Sequence, residues 1–492
     1  MKSLLTLLSL FFVALATSPV AAQGRTTKPL FDMAAMLDES TLKIDILQDW
    51  HPVNGPVPTR QKLISIEVGE LLPGRSYRIP VRMIVPANRK AKGFHLTGGH
   101  NQDNIQRDAR PRGVDLDLLR GGVGLVYTIV QVLQQSGQGE LGRAADREFF
   151  RTLNPHYSIQ YWGWPATLMR ATTAAYAERE HFEKGKVALS GGSKNGASPS
   201  VSLIHDKRMT AVHATVSPIW DSPLRLCDRQ AWDALNRENQ RYLQEQRRRD
   251  PRVNAQRILN HFFLGGTYGP VYNKPAMAAG NSWKDLQNLA QRMADNVFIS
   301  RNLEALKKRN VDLLFHPGTH DFVNFDIAWG GANHPTIPVY LSANSGHSQR
   351  GEHPGTERAQ QNKSAFMLNH FFDDVPPLLK PPTVTTKRTG RQLEVTIKFA
   401  DGVRAESGRI WWIYNRAPDG SAAYLAETFP ADQWKEMKSV AGGNTWTTTI
   451  ELASNKARID FFSSHRKTIR YRGRPFPSFI SCPYTRVELR TR

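Results

Sequence analysis

The stretch 187–197, VALSGGSKNGA, restricts this chain more than any other. An apolar run that reaches Gly191, Gly192 and Ser193 and continues into a helix-compatible sequence describes a strand turning sharply into a helix. A turn this tight crowds its neighbours, so small residues must flank it, and the serine hydroxyl is raised above the end of the strand. Here Asn195 holds the second position after the serine, and glycine follows one later, at Gly196. The same letters also suit a plain glycine turn with Ser193 as helix N-cap. A strand that feeds directly into a helix belongs in a parallel sheet covered by helices.

The surrounding sequence has the pattern such a sheet needs. Apolar or β-branched runs at 63–68, 77–85, 93–97, 123–130, 186–189, 211–216, 311–315 and 337–341 predict eight strands. The first two flank Leu72, Pro73, Gly74 and Arg75, a hairpin turn, so the sheet starts antiparallel. Later runs such as VGLVYTIV are almost continuously apolar, as parallel strands covered on both faces are, and 165–180 predicts an alanine-rich helix between two of them. The region up to about Thr59 shows no clear periodicity. Residues 222–310 are too long for one crossover and predict a helical cap. A proline-rich joint runs through Pro376, Pro377, Pro381 and Pro382, and beyond it period-two runs with Gly, Asn and Asp between them predict an antiparallel β-sandwich over 381–492. The expected architecture is therefore α/β, a mostly parallel sheet of the α/β-hydrolase type over 23–380 with the cap inserted, followed by the β domain.

Composition narrows the function classes. With 40% hydrophobic and 22% charged residues the chain is globular, and two cysteines exclude a disulfide-built scaffold or a zinc-cluster protein. Residues 1–22, with Lys2, an apolar stretch and small residues at Val20, Ala21 and Ala22, predict a secretory signal and an exported protein, periplasmic or extracellular. No later run has the length of a membrane span. The formal net charge of +21 favours anionic partners, among which acidic polysaccharide suits an exported chain better than nucleic acid. Arg247, Arg248 and Arg249 lie among Glu and Gln without interleaved aromatics and predict a solvated helix face. Cys227 and Cys482 are compatible with one disulfide or with two separate thiols.

Candidate chemistry follows from chain order. In a serine hydrolase of this fold the acid and then the histidine come after the nucleophile, each on a loop behind a later strand. The run at 311–315 leads into His316, Pro317, Gly318, Thr319, His320 and Asp321; the run at 337–341 leads into Ser345, Gly346 and His347. Ser193, Asp321 and His347 are the expected nucleophile, acid and base. The backbone N–H of Lys194 and the loop carrying Gly98 and Gly99 are the expected oxyanion donors. His316, His320, Asp321 and Asp326 lack metal-ligand spacing, so neither metal nor cofactor is expected. Trp162, Trp164, Trp220 and Trp329 read first as core residues and second as platforms for sugar rings.

The GGSKNG elbow, the GTHD and SGH loops, the helical insertion and the trailing β domain resemble the PhoPQ-activated pathogenicity-related family of exported α/β-hydrolase proteins. The elbow, with glycine at the third position after serine and a basic residue next to it, is also similar to that of glucuronoyl esterases. That similarity implies a side-chain role for Lys194 at the oxyanion, and makes Asp221, behind the sixth strand, an alternative acid to Asp321. The expected activity is hydrolysis of a carboxylic ester, small-molecule or glycan, through an acyl-enzyme. The alternatives are a peptidase with the same triad and a non-catalytic protein that holds an acidic glycan.

Overall fold

The computed structural model describes residues 29–135, 137–254, 273–348 and 360–489. The expected signal at 1–22 and the middle of the expected cap, 255–272, lie outside the described residues.

Eight strands form the main sheet: β1 (Ile44–Val53), β2 (Thr59–Leu72), β3 (Arg75–Pro86), β4 (Ala91–Thr97), β5 (Gly124–Thr128), β6 (Phe182–Gly192), β7 (Ala211–Thr215) and β8 (Asp312–His316). Their spatial order is β1-β2-β3-β5-β4-β6-β7-β8. The first three are antiparallel meanders, β3 meets β5 antiparallel, and the pairs from β5 to β8 are all parallel. This exchange of β4 and β5 beside an antiparallel start is the α/β-hydrolase fold. The turn at 72–75 closes the β2–β3 hairpin, with Gly74 at φ 69°.

Two of the sequence expectations change. The segment 337–341 does not extend the sheet; it touches β8 through a single parallel bridge, Phe315 to Val339. Pro338 and Tyr340 bond to Phe315 there, Pro338 has no N–H to carry the pairing further, and the backbone of Val339 and Leu341 bonds to Ser481 of the C-terminal region. The eighth strand is β1, in the region read as aperiodic. It is an exposed edge strand with two register shifts, and Ile44, Ile46 and Leu47 lie open to solvent, so its sequence lacks a half-buried strand's alternation.

Helices close both faces. On one side α1 (Val114–Arg120) packs under the sheet together with α7 (Gln360–Phe371); on the other lie α2 (Trp164–Ala177) and α3 (Lys194–His205). Helix α2 begins with Pro165 in its first turn, where the missing N–H costs nothing, and is buried almost throughout. Of the helical stretch 222–310, α4 (Arg229–Arg249) reaches toward the C-terminal region, where Asn239 accepts from the Ala422 N–H. The last two helices, α5 (Trp283–Val297) and α6 (Ile299–Lys308), lie against α3, with His205 bonded to the Asn296 carbonyl. Arg247, Arg248 and Arg249 are exposed on α4, and Arg249 pairs with Glu245 one turn back.

Beyond Thr383 the chain forms two antiparallel sheets. One contains β9 (Thr383–Thr389), β10 (Gln392–Lys398), β13 (Lys438–Val440) and β14 (Thr445–Glu451). The other contains β11 (Ser407–Tyr414), β12 (Trp434–Glu436), β15 (Arg458–Tyr471), β16 (Arg474–Ser481) and β17 (Thr485–Glu488). Trp446 of the first meets His465 of the second edge-on. Asn362 of α7 joins β16 to the main sheet by bonding both the N–H and the carbonyl of Phe479. Cys227 and Cys482 are separate buried thiols, so of the two readings the sequence left open, the unbonded one holds. Burial raises both thiols, Cys227 to about 12 and Cys482 to about 11.

The loop after β11 carries Asp419, one wall of a cavity of about 420 Å³ shared with Leu224, Leu235, Trp329 and Pro418. Burial pushes its carboxyl up to about 7, against the pull of Arg486 and of the Trp329 N–H it accepts. A carboxyl raised on folding favours the folded state below its ordinary value of 3.8 and loses that contribution as pH climbs to about 7. Asp419→Asn keeps the acceptor and removes the titration. Its stability should exceed the wild type's by a margin that widens from pH 4 to pH 7, by on the order of 4 kcal/mol, and is flat beyond, read as a growing difference in melting temperature. Thermal unfolding across that pH range checks it; a constant margin would refute the assignment.

Candidate active site

The elbow is built by close approach. A Cβ at Gly191 would lie 1.9 Å from the Asn195 carbonyl oxygen, and one at Gly196 would lie 3.0 Å from the carbonyl oxygens of Gly191 and Thr215. Glycine is therefore required two before and three after the serine, while Asn195 occupies the position between. Ser193 itself sits at φ 58°, ψ −123°, a conformation that costs a non-glycine residue about 1–3 kcal/mol and that recurs at functional turns. It is half-buried; Lys194, the first residue of α3, is exposed.

The carboxyl ends of three strands are stitched together here. The Ser193 N–H donates to Thr215 O at 2.9 Å, and the Val216 N–H donates to His316 O at 3.0 Å. The loop behind β8 and the loop behind 337–341 then pack on each other: His320 N–H donates to Ser345 O at 2.9 Å, and Thr319 Oγ1 donates to Ser342 O at 2.9 Å. Gly318 has no room for a side chain between Asp321 and the Ser345 carbonyl.

On these loops His347 Nδ1 lies 3.0 Å from Asp321 Oδ1. The Asp321 side chain is fully buried, whereas that of His347 is 38% exposed. Asp321 Oδ1 also accepts from the Val323 N–H at 3.0 Å, and the Phe322 ring stacks on the imidazole at 4.6 Å. An imidazole held at Nδ1 presents Nε2 on its other side, the nitrogen a general base uses. Asp221, the alternative acid, is engaged elsewhere: Arg301 Nε at 2.6 Å, Ser300 Oγ at 2.7 Å and His334 Nε2 at 3.2 Å. The structure pairs His347 with Asp321 and not with Asp221.

Of the two loop glycines, Gly99 stands against the elbow, where an added Cβ would meet the Asn195 side chain at 3.4 Å. Gly98 is glycine for a packing reason, since a Cβ would lie 2.2 Å from Val130 Cγ2. His316, His320, Asp321 and Asp326 do not converge: His316 faces Asn362, His320 the Glu427 carbonyl, Asp321 His347, and Asp326 Arg225. Trp162, Trp164 and Trp220 are buried core residues, and Trp329 is partly exposed.

The sequence reading missed a polar network under the elbow. His95 Nδ1 lies 2.9 Å from Asp115 and its Nε2 lies 2.8 Å from Ser190 Oγ; the Tyr127 hydroxyl donates to Asp115 at 3.0 Å, and His100 stacks on Tyr127 at 4.2 Å. Burial pushes the Asp115 carboxyl up, but His95, Lys363 and the tyrosine hydroxyl outweigh it and hold it at about 2. His95 is fully buried and Ser190 nearly so, and each group is bonded to the next. The network ties β4 to β6 immediately before Gly98 and Ser193, fixing the loops that follow. A histidine and a serine inside otherwise apolar strands were the only sequence signals for it.

No family model matches the chain, and no curated protein sequence matches it. Among solved structures it resembles a CE15 glucuronoyl esterase from Teredinibacter turnerae T7901, at 12% identity and a TM-score of 0.35 over 61% of this chain and 66% of that one. It also resembles acetyl xylan esterase 1 from Thermoanaerobacterium sp. JW/SL YS485, at 17% identity and a TM-score of 0.36 over 69% of this chain and 92% of that one. A glucuronoyl esterase from Solibacter usitatus matches at 13% identity and a TM-score of 0.33 over 67% of this chain and 86% of that one. Prolyl endopeptidases are also among the similar structures. Likeness at this level says nothing about substrate.

Proposed function

We propose that this protein is an exported serine hydrolase that cleaves a carboxylic ester, with Ser193 as nucleophile, His347 as base and Asp321 as the acid orienting it. The observation that carries the reading is the Asp321–His347 pair at 3.0 Å, on loops joined to the strained serine turn. In the first half-reaction Ser193 Oγ attacks the ester carbonyl and its proton passes to His347 Nε2. The negative oxygen of the tetrahedral intermediate is met by the Lys194 backbone N–H at the start of α3, with the Gly98–Gly99 loop and the Lys194 side chain as further donors. His347 then returns the proton to the leaving alcohol, and water, activated by the same imidazole, releases the acid. No cofactor enters.

The strongly basic composition favours esters of acidic sugars or anionic polysaccharide over neutral esters. The family reading is kinship with the PhoPQ-activated pathogenicity-related proteins, on the GGSKNG, GTHD and SGH segments. Incubation of the protein with a fluorophosphonate probe, followed by peptide mass spectrometry, tests the chemistry: the expected adduct sits on Ser193 and is absent in Ser193→Ala. A folded wild type that takes no label, or takes it on another serine, would refute the reading. A panel of uronate esters, neutral esters and amides then separates esterase from peptidase.

A further inference from the structure

We infer that the segment 415–429, which belongs to the C-terminal region, is a working part of the catalytic apparatus: through Arg416 and Phe429 it positions both the acid loop and the histidine loop. This rests on the roles just proposed for Asp321 and His347. Arg416 follows β11 and is fully buried, with its guanidinium 3.7 Å from the Tyr424 ring centre. One of its amino groups donates to the Thr319 carbonyl at 2.5 Å and to Tyr424 O at 3.2 Å, and the other to the Tyr484 hydroxyl at 2.8 Å. Thr319 stands two residues before Asp321. A planar, permanently charged fork that bonds three fixed acceptors holds the loop's backbone more rigidly than a neutral side chain would.

Three further bonds act in the same direction. His320 Nε2–H donates to the Glu427 carbonyl, and burial together with nearby Arg416 lowers that imidazole to about 4. Asn344, at φ 61° in the histidine loop, grips the backbone of Phe429 with both ends of its amide: Nδ2 donates to Phe429 O at 3.0 Å, and Oδ1 accepts the Phe429 N–H at 2.7 Å. The segment is itself closed by Glu427, which accepts the Ala417 N–H at 2.8 Å. Both loops carrying the proposed acid and base are thus fastened to one short piece of the C-terminal region, and the distance between Asp321 and His347 depends on it.

The test uses the full chain with Arg416→Met, Arg416→Lys and Asn344→Ala, assayed on an activated ester. A loop displaced by a fraction of an ångström costs chemistry rather than binding, so kcat should fall about tenfold to a hundredfold in Arg416→Met with KM changed less than threefold. Arg416→Lys should recover part of the loss. In an Asp321→Asn background the Arg416→Met loss should shrink to less than about threefold, because the two substitutions disable one arrangement. Independently of turnover, the His347 imidazole resonances, assigned by comparison with His347→Gln, should move in Arg416→Met and in Asn344→Ala. A loss that stays full-sized in the Asp321→Asn background, or a His347 signal unmoved in both variants, would overturn the inference. If the wild type neither turns over esters nor labels, the functional reading fails, and the His347 resonances still decide whether the segment positions the loops. Should Arg416→Met not fold, Asn344→Ala and Arg416→Lys give the same decision.

Discussion

Asp321→Asn is expected to lower kcat on an activated ester by about ten-thousand-fold, and Asp221→Asn by less than about tenfold. Asp321 Oδ1 accepts from both His347 Nδ1 and the Val323 N–H, and the carboxylate is shielded from water on every side. An amide in its place either turns its N–H groups toward Nδ1 and the Val323 N–H, losing both bonds and forcing the imidazole into the tautomer that cannot accept the serine proton, or keeps its oxygen there without the negative charge and buries an N–H group with no acceptor in place of Oδ2. Neither arrangement stabilises the imidazolium that forms as Ser193 attacks. Asp221 has no such duty, because Arg301, Ser300 and His334 already use its oxygens. Substituting it should show in stability, through a partly exposed ion pair of about 1 kcal/mol or less, and not in the chemical step. Steady-state kinetics on both variants check this, and equal losses would reassign the acid.

The elbow was legible because its constraint is local. Gly191 is dictated by Asn195, and Gly196 in part by the Gly191 carbonyl, and such contacts leave their mark in consecutive letters. That Asp321 and His347 meet was legible through chain order: the fold brings the loops behind successive strands to one edge, so topology did what distance along the chain could not. Edge strand β1 was hidden because a bulged, exposed strand has no buried face to impose alternation. The segment 337–341 misled for the opposite reason. Its apolar letters were correct about burial, but it meets β8 only at Phe315, and the backbone of Val339 and Leu341 bonds to Ser481, about 140 residues away. Arg416 was invisible on the same account, since its acceptor Thr319 is 97 residues distant and a lone arginine after a strand carries no pattern. Side chains whose role is tertiary leave no periodicity, and the residues that position this site are mostly of that kind.

Behind the acid loop a second substitution should have a large effect on stability. Arg225 and Asp326 have no exposed side-chain surface, and they meet in a two-point pair, Nε to Oδ2 at 2.7 Å and an amino group to Oδ1 at 2.9 Å. The same guanidinium donates to the Val323 carbonyl and lies 4.6 Å from the Phe325 ring centre. Two charges removed from water this completely gain little over an apolar pair of equal volume, but either one alone is left without compensation. Arg225→Met should therefore cost about 3–5 kcal/mol, read as a lowered midpoint in denaturant with unchanged slope. Replacing both, Arg225→Met with Asp326→Leu, should return most of that loss, because no uncompensated charge remains. Catalysis should not return with it. The Val323 N–H bonds to Asp321 and the Val323 carbonyl has lost its donor, so the acid is held from one side only. Recovery of stability without recovery of kcat would separate the pair's charge balance from its hold on the acid loop; a double variant as unstable as the single one would show that Arg225 stabilises by its bonds to the loop and not by neutralising Asp326.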